Sequence, residues 1–208
     1  PYTLPTEVAQ LDDNRINEAS GITASRRNPG MYYLYREGRL KHVASSFPDI
    51  DSDWLGSTEA FTMKARDGVK LYGLLTLPPG GKDEDLPLIV HPHGGPHGPY
   101  DQWGYSARVQ MLASHGYAVL QVNFRGSGGY GKDFERSGYG KWGREMQDDL
   151  TDATLWAVQQ GIADRNRICI YGGSYGGYAT LQALVREPDL YACGIGVAGV
   201  YSLPMMWK

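Results

Sequence analysis

An α/β fold, a mostly parallel sheet with helices on both faces, is what this 208-residue sequence predicts, and three observations predict it. From Glu59 onward, short apolar runs alternate with helical patterns, the arrangement that builds a parallel sheet covered on both sides. The first two runs instead flank Asp67-Gly68, a hairpin signal, so the sheet begins antiparallel. Further on, the run Ile168–Tyr171 passes into Gly172-Gly173-Ser174-Tyr175-Gly176 and then into a helical pattern without a gap. A strand, a sharp turn with a serine at its apex and a helix together form a nucleophile elbow.

Taken in order, residues 1–30 show little periodicity and end in a polar turn cluster, Arg26-Arg27-Asn28-Pro29-Gly30. Met31–Tyr35 reads as a strand, Arg36-Glu37-Gly38 as its turn and Arg39–Val43 as its alternating partner. A lone hairpin is marginal, so this one reads as the last piece of a larger β structure. Phe47–Asp53 is acidic and turn-rich, a linker. The expected division is therefore residues 1–50 as a β remnant with its linker, and 51–208 as the α/β portion. Ala60–Arg66 and Val69–Leu77 make the hairpin, and Leu86–Val90 is a compact apolar run of buried-strand type. The pattern then predicts a helix over 108–115, with Val109, Leu112 and Ala113 on one face and Gly116 at its C-cap. A strand over 117–122 follows, then a glycine-rich loop from Asn123 that continues through Gly140. A long helix over 146–160 places Leu150, Ala153, Thr154 and Ala157 at core spacing, and Gly161 stops it. The elbow strand covers 167–171, the elbow helix 175–186, and a last apolar strand 192–200. No internal repeat is present.

The formal charge of −3 comes from interspersed acidic and basic residues, with no basic stripe for nucleic acid and no polybasic tract for a membrane surface. No apolar run approaches the length of a bilayer span, and the first residues lack the pattern of a signal peptide, although the chain starts at proline. The two cysteines, Cys169 and Cys193, each sit in an apolar strand-like run and read as buried free thiols in a reducing compartment. That leaves localisation unknown, with the cytoplasm favoured.

Ser174 is the candidate nucleophile. Its glycine neighbours let the turn tighten and let strand and helix pass closely, and the following helix turns its positive end toward developing negative charge. Hydrolysis through a serine also needs donors for an oxyanion. One is the backbone N–H of Tyr175; the second comes from the loop after the third sheet strand, where lipases and esterases carry a histidine-glycine-glycine motif. The match here is His93-Gly94-Gly95-Pro96, with the Gly95 N–H as donor, and His93 and Gly94 supporting the loop. All five histidines (His42, His91, His93, His97 and His115) precede Ser174, whereas a triad of this type orders serine, carboxylate, histidine. The spacing of His91, His93 and His97 puts no two imidazoles on a shared helix face, so no metal site is expected, nor any cofactor. Gly126 to Gly131 fits a dinucleotide fingerprint, and with Lys132 nearly a phosphate loop, but Asp133 stands where a hydroxyl is required, and the segment is expected to continue as loop. It reads as a glycine-rich turn at the active-site rim. Asp148 and Asp149 read as structural, at the start of a helix. Trp103, Tyr105, Tyr139 and Trp142 read equally as pocket lining or packing.

Six motifs in order carry a resemblance: Lys64–Gly68, Leu75–Pro78, His93–Pro96, Asn123–Gly131, Asp148-Asp149-Leu150 and Gly172–Tyr178. Together they resemble the prolyl oligopeptidase family of serine peptidases, in its acylaminoacyl-peptidase-like branch, over residues 55–205. The resemblance implies an α/β-hydrolase domain joined to a β-propeller, short peptides as substrates, and a hairpin at 31–43 similar to the last strands before the hydrolase domain. It also implies a catalytic aspartate and histidine after later strands, so the expectation is a fragment, incomplete at its C-terminus and inactive alone, with the triad Asp and His beyond the chain end. A carboxylesterase of the same fold and a non-catalytic interaction module remain alternatives; Pro96 and the upstream hairpin favour the peptidase. Self-association through the strand edge near 192–200 is the other expected partnership.

Overall fold

The structure, a computed structural model, describes residues 21–24, 31–36, 39–45 and 50–207. The polar cluster at 26–30, the turn at 37–38 and residues 47–49 of the expected linker lie outside the described residues. The chain divides into two compact units, Pro1–Trp54 and Leu55–Lys208. In the first, the hairpin of β2 (Met31–Arg36) and β3 (Arg39–Ser45) is joined by β1 (Gly21–Ala24) in an antiparallel sheet of order β1-β2-β3. Four residues without alternation gave no sign of β1; its registration against β2, Gly21 opposite Tyr35, is what makes it a strand.

The second unit is a six-stranded sheet of order β4-β5-β7-β6-β8-β9. The Asp67-Gly68 hairpin pairs β4 (Ser57–Lys64) with β5 (Lys70–Leu77), and β5 runs antiparallel to β7 (Ala118–Asn123). From β7 through β6 (Leu86–Val90) and β8 (Ala163–Gly173) to β9 (Cys193–Val197) every pair is parallel. All six residues of β7 are buried, as a central strand covered on both faces requires. The main core gathers Leu88, Val90, Leu120, Val122, Ile168 and Ile170 against helices α3 (Glu145–Gln159) and α4 (Tyr175–Arg186). Strand alternation turns Ile89 and Val119 to the other face, where α1 (Ala107–Ser114) buries Val109 and Ala113. Buried Gln110 on α1 pins that helix to the start of β4, accepting from the Gly56 N–H and donating to its carbonyl.

The chain leaves β6 toward β7 on one side and leaves β8 toward β9 on the other. In an open parallel sheet, the crevice beyond the carboxyl ends of two such strands is where ligands bind. The loop after β6 and the elbow after β8 meet there. Two local expectations are corrected. The glycine-rich loop does not continue as loop but enters a five-residue helix, α2 (Lys132–Arg136), and the last strand is shorter than 192–200. On β9, the edge of the sheet among the described residues, Ile195 and Val197 are exposed.

The larger correction concerns the cysteines. Cys169 and Cys193 are direct register partners on β8 and β9, with Cα atoms 4.7 Å apart, and form a disulfide. Opposed residues of a parallel pair project from the same face, so their thiols meet; a register across an intervening helix is not written in either strand. Cys193 is exposed rather than buried, and the basis for placing the chain in a reducing compartment goes with the free thiols. With a sequence separation of 24 between the bridged positions, chain-entropy arithmetic gives the bridge about 3 kcal/mol. Urea unfolding of Cys169→Ser/Cys193→Ser should show a loss of that order, and reductant should destabilise the wild type but not the double variant.

Candidate functional site

Ser174 stands between β8 and α4 with φ 56° and ψ −122°, a backbone conformation that a residue with a Cβ avoids. Its neighbours hold it there. The Ser174 N–H donates to the Val197 carbonyl at the end of β9 (2.9 Å), and its own carbonyl accepts from Gly177 (3.0 Å) and Tyr178 (3.1 Å). Gly176 is where α4 touches the loop after β6, and a Cβ there would collide with the Pro92 carbonyl oxygen. Ser174 itself is exposed at the head of α4, between partly buried Gly173 and buried Tyr175.

The loop after β6 comes directly alongside. A Cβ added to Gly94 would lie 3.3 Å from Ser174 Cβ and 3.8 Å from its Oγ. Gly95 has φ 122°, and any side chain on it would press into Pro99 at 2.8 Å, so only glycine suits the position. The Gly95 and Tyr175 N–H groups make no hydrogen bond to a described residue. Two donors without a described acceptor thus adjoin the contact between Gly94 and Ser174, one of them at a helix N-terminus whose first N–H groups have no intrahelical acceptor.

The histidines divide by role. His93 is stacked on Phe124, with ring centroids 4.4 Å apart. Its Nδ1–H donates to the Gly94 carbonyl (2.8 Å), and its Nε2 lies 2.8 Å from Ser127 Oγ. Burial pushes its pKa down to about 4, against the pull of the Gly94 bond, so the ring is neutral. His91 donates from Nδ1 to the Tyr171 carbonyl (2.6 Å), and burial again lowers its pKa. His97 accepts from Trp142 Nε1 (3.2 Å), and His115 donates to Met111 at the end of α1. None of these hydrogen-bonds the Ser174 hydroxyl. Among the described residues no group of three His, Cys, Asp or Glu is placed to hold a metal ion.

Several residues around the site were not legible as such. Ser127, inside what reads as a plain glycine turn, is fully buried and meets His93. Two residues earlier, buried Arg125 binds Asp149 through Nε (2.9 Å) and Nη2 (2.7 Å) and reaches Asp67 through Nη1 (2.6 Å). This ion cluster ties the β4–β5 turn, the loop after β7 and α3 together. Burial opposes the charge on Arg125, but the two carboxylates outweigh it and raise its pKa, while burial pushes Asp149 up to about 6. Asp149 is thus a buried ion partner, whereas Asp148 pairs with Arg186 (2.6 Å). Trp142 packs edge-on to Tyr175 at 4.7 Å. Trp103 lines a separate cleft with Phe61, Tyr72, Tyr100, Asp101 and Tyr130, and Ser174 is not in its wall.

Residues 103–208 match the prolyl oligopeptidase family. The dipeptidyl aminopeptidase BIII of Pseudoxanthomonas mexicana is 43% identical over 184 residues, covering 84% of this chain and 27% of the relative. Among solved structures, a puromycin hydrolase superposes with a TM-score of 0.74 at 28% identity, over 90% of this chain and 29% of that one. The acylaminoacyl peptidase of Pyrococcus horikoshii gives 0.69 at 31% identity, over 86% of this chain and 29% of its own. The chain therefore spans between a quarter and a third of the length of these three proteins.

One partly buried carboxyl beside the loop carries a cost that depends on pH. Asp101 accepts from Gln121 Nε2 (2.7 Å), while its other oxygen is buried without a partner. Burial pushes its pKa up to about 6 from 3.8. A carboxyl whose folded pKa is raised costs stability wherever it is ionised, so the penalty grows as pH rises from about 4 to 6 and is complete above that. At about 1.4 kcal/mol per unit, Asp101→Asn should be more stable than wild type by about 2–3 kcal/mol at pH 7 and equal to it near pH 4. Denaturation across that range checks the difference; a constant gap would refute the assignment.

Proposed function

This chain belongs to the prolyl oligopeptidase family, and from that premise we propose that it carries the nucleophile of a serine-type peptidase acting on short peptides or acyl-peptides. The observation that supports this most directly is the left-handed backbone of Ser174 at φ 56°, exposed at a strand-to-helix turn against the Gly94-Gly95 loop. Such a conformation costs about 1–3 kcal/mol and persists where the surroundings over-determine it. Ser174 Oγ attacks the substrate carbonyl carbon as its proton passes to a base. The carbonyl oxygen, now negative, is received by the N–H groups of Gly95 and Tyr175. Collapse expels the amine, which takes the proton, and water then hydrolyses the acyl-Ser174 ester by the same route. The hydrogen bonds of His91, His93, His97 and His115 go elsewhere, so none of these four is that base.

The relatives named for peptidase activity, a dipeptidyl aminopeptidase and an acylaminoacyl peptidase, favour peptide over simple ester substrates. In the whole enzyme, Ser174→Ala should lower kcat by about 10⁶-fold and abolish labelling by a fluorophosphonate probe. Labelling that survives the substitution would overturn the assignment. The 208-residue chain alone, in which none of these four imidazoles is bonded to Ser174, should hydrolyse acyl-peptide anilides only at the residual rate that binding and oxyanion donors support.

A further inference from the structure

The donor assigned to Gly95 is held by a chain of contacts that ends at Ser127. The Gly94 carbonyl and the Gly95 N–H belong to one trans peptide unit, whose planarity points them in opposite directions. Whatever holds the carbonyl therefore aims the N–H. His93 holds it, through Nδ1 at 2.8 Å. A carbonyl oxygen only accepts, so Nδ1 carries a proton, and on a neutral ring Nε2 then carries none.

Nε2 faces the hydroxyl of Ser127 at 2.8 Å. That hydroxyl has a second acceptor in reach, the Phe124 carbonyl at 2.7 Å, which already accepts from the Ser127 N–H (3.0 Å). The two arrangements have opposite consequences. With the hydroxyl donating to Nε2, the Nδ1–H tautomer is selected and the Gly94 carbonyl is bound. With the proton on Nε2 instead, the Nδ1 lone pair opposes the carbonyl lone pairs and the peptide is released. Stacking on Phe124 limits the ring's freedom to turn away. Ser127 is itself fixed, because the Arg125 ion cluster anchors its loop and the Gly128 N–H donates to the Pro99 carbonyl (3.2 Å).

We propose that Ser127 is a positioning residue for the hydrolytic reaction: its hydroxyl donates to His93 Nε2, selects the Nδ1–H tautomer, and thereby aims the Gly95 N–H at the oxyanion. The proposal rests on the reading of Ser174 as nucleophile and of Gly95 as oxyanion donor. It gives the serine in the glycine-rich loop a role that glycine or alanine would not fill.

The test is the tautomer, read by ¹⁵N NMR on the protein labelled in its histidines, with His93 assigned through His93→Gln. At pH 7 the wild type should show a protonated Nδ1 and a bare Nε2, and Ser127→Ala should shift His93 toward a tautomer mixture. In the whole enzyme Ser127→Ala should cost about tenfold to 10²-fold in kcat at unchanged KM, since a misaimed donor forfeits part of what a missing one does. Ser127→Thr, which restores the hydroxyl, should recover both signals. A wild-type His93 protonated on Nε2 would overturn the proposal, as would Ser127→Ala with wild-type tautomer and kcat. If Ser127→Ala does not fold, the wild-type tautomer decides. Ser174→Ala separates the two readings: hydrolysis that survives it removes the nucleophile assignment, whatever the tautomer shows.

Discussion

Ser174 must be held in a conformation that its own Cβ disfavours, and much of the second unit is arranged around that requirement. The turn works because β9 supplies the acceptor for the serine N–H, α4 supplies donors for its carbonyl, and Gly176 lets the loop after β6 come within contact. The partners lie on β9, on α4 and in the loop after β6, so the strain is shared by strand pairing and helix packing rather than borne at the turn. The disulfide adds a covalent tie between β8 and β9 a few residues before the elbow, along the same pair of strands that fixes the serine backbone.

A second constraint is electrostatic. Arg125 and Asp149 are both buried, and taking two charges from water costs several kcal/mol that their attraction only partly returns. A pair of this kind is weak evidence for stability and better understood as a device for geometry. Here the guanidinium fork joins three separate segments, and two residues further along the same loop Ser127 meets His93. The loop read as a glycine turn is thus a packing platform for the one beside the serine.

The features legible in the residues alone are those that rest on local rules. Gly-x-Ser-x-Gly between an apolar run and a helical run compels the elbow, because the serine's backbone and the glycines' missing side chains are conditions of the turn itself. The Asp67-Gly68 hairpin, Leu86–Val90 and the helix of Tyr175–Arg186 are legible for the same reason, since each announces its period and its stops within a few residues. The remaining features depend on register and on distance across the chain. Cys169 and Cys193 are bonded because β8 and β9 align them. Asp149 pairs with Arg125 rather than serving only a helix end, because the loop after β7 folds back onto α3. β1 exists because β2 offers it an edge. Ser127 meets His93 from 34 positions away, a contact no spacing rule contains. Local conformation is set by short-range sterics and hydrogen bonding, which a sequence displays directly; pairings between distant segments follow from the whole sheet, and no short stretch records them.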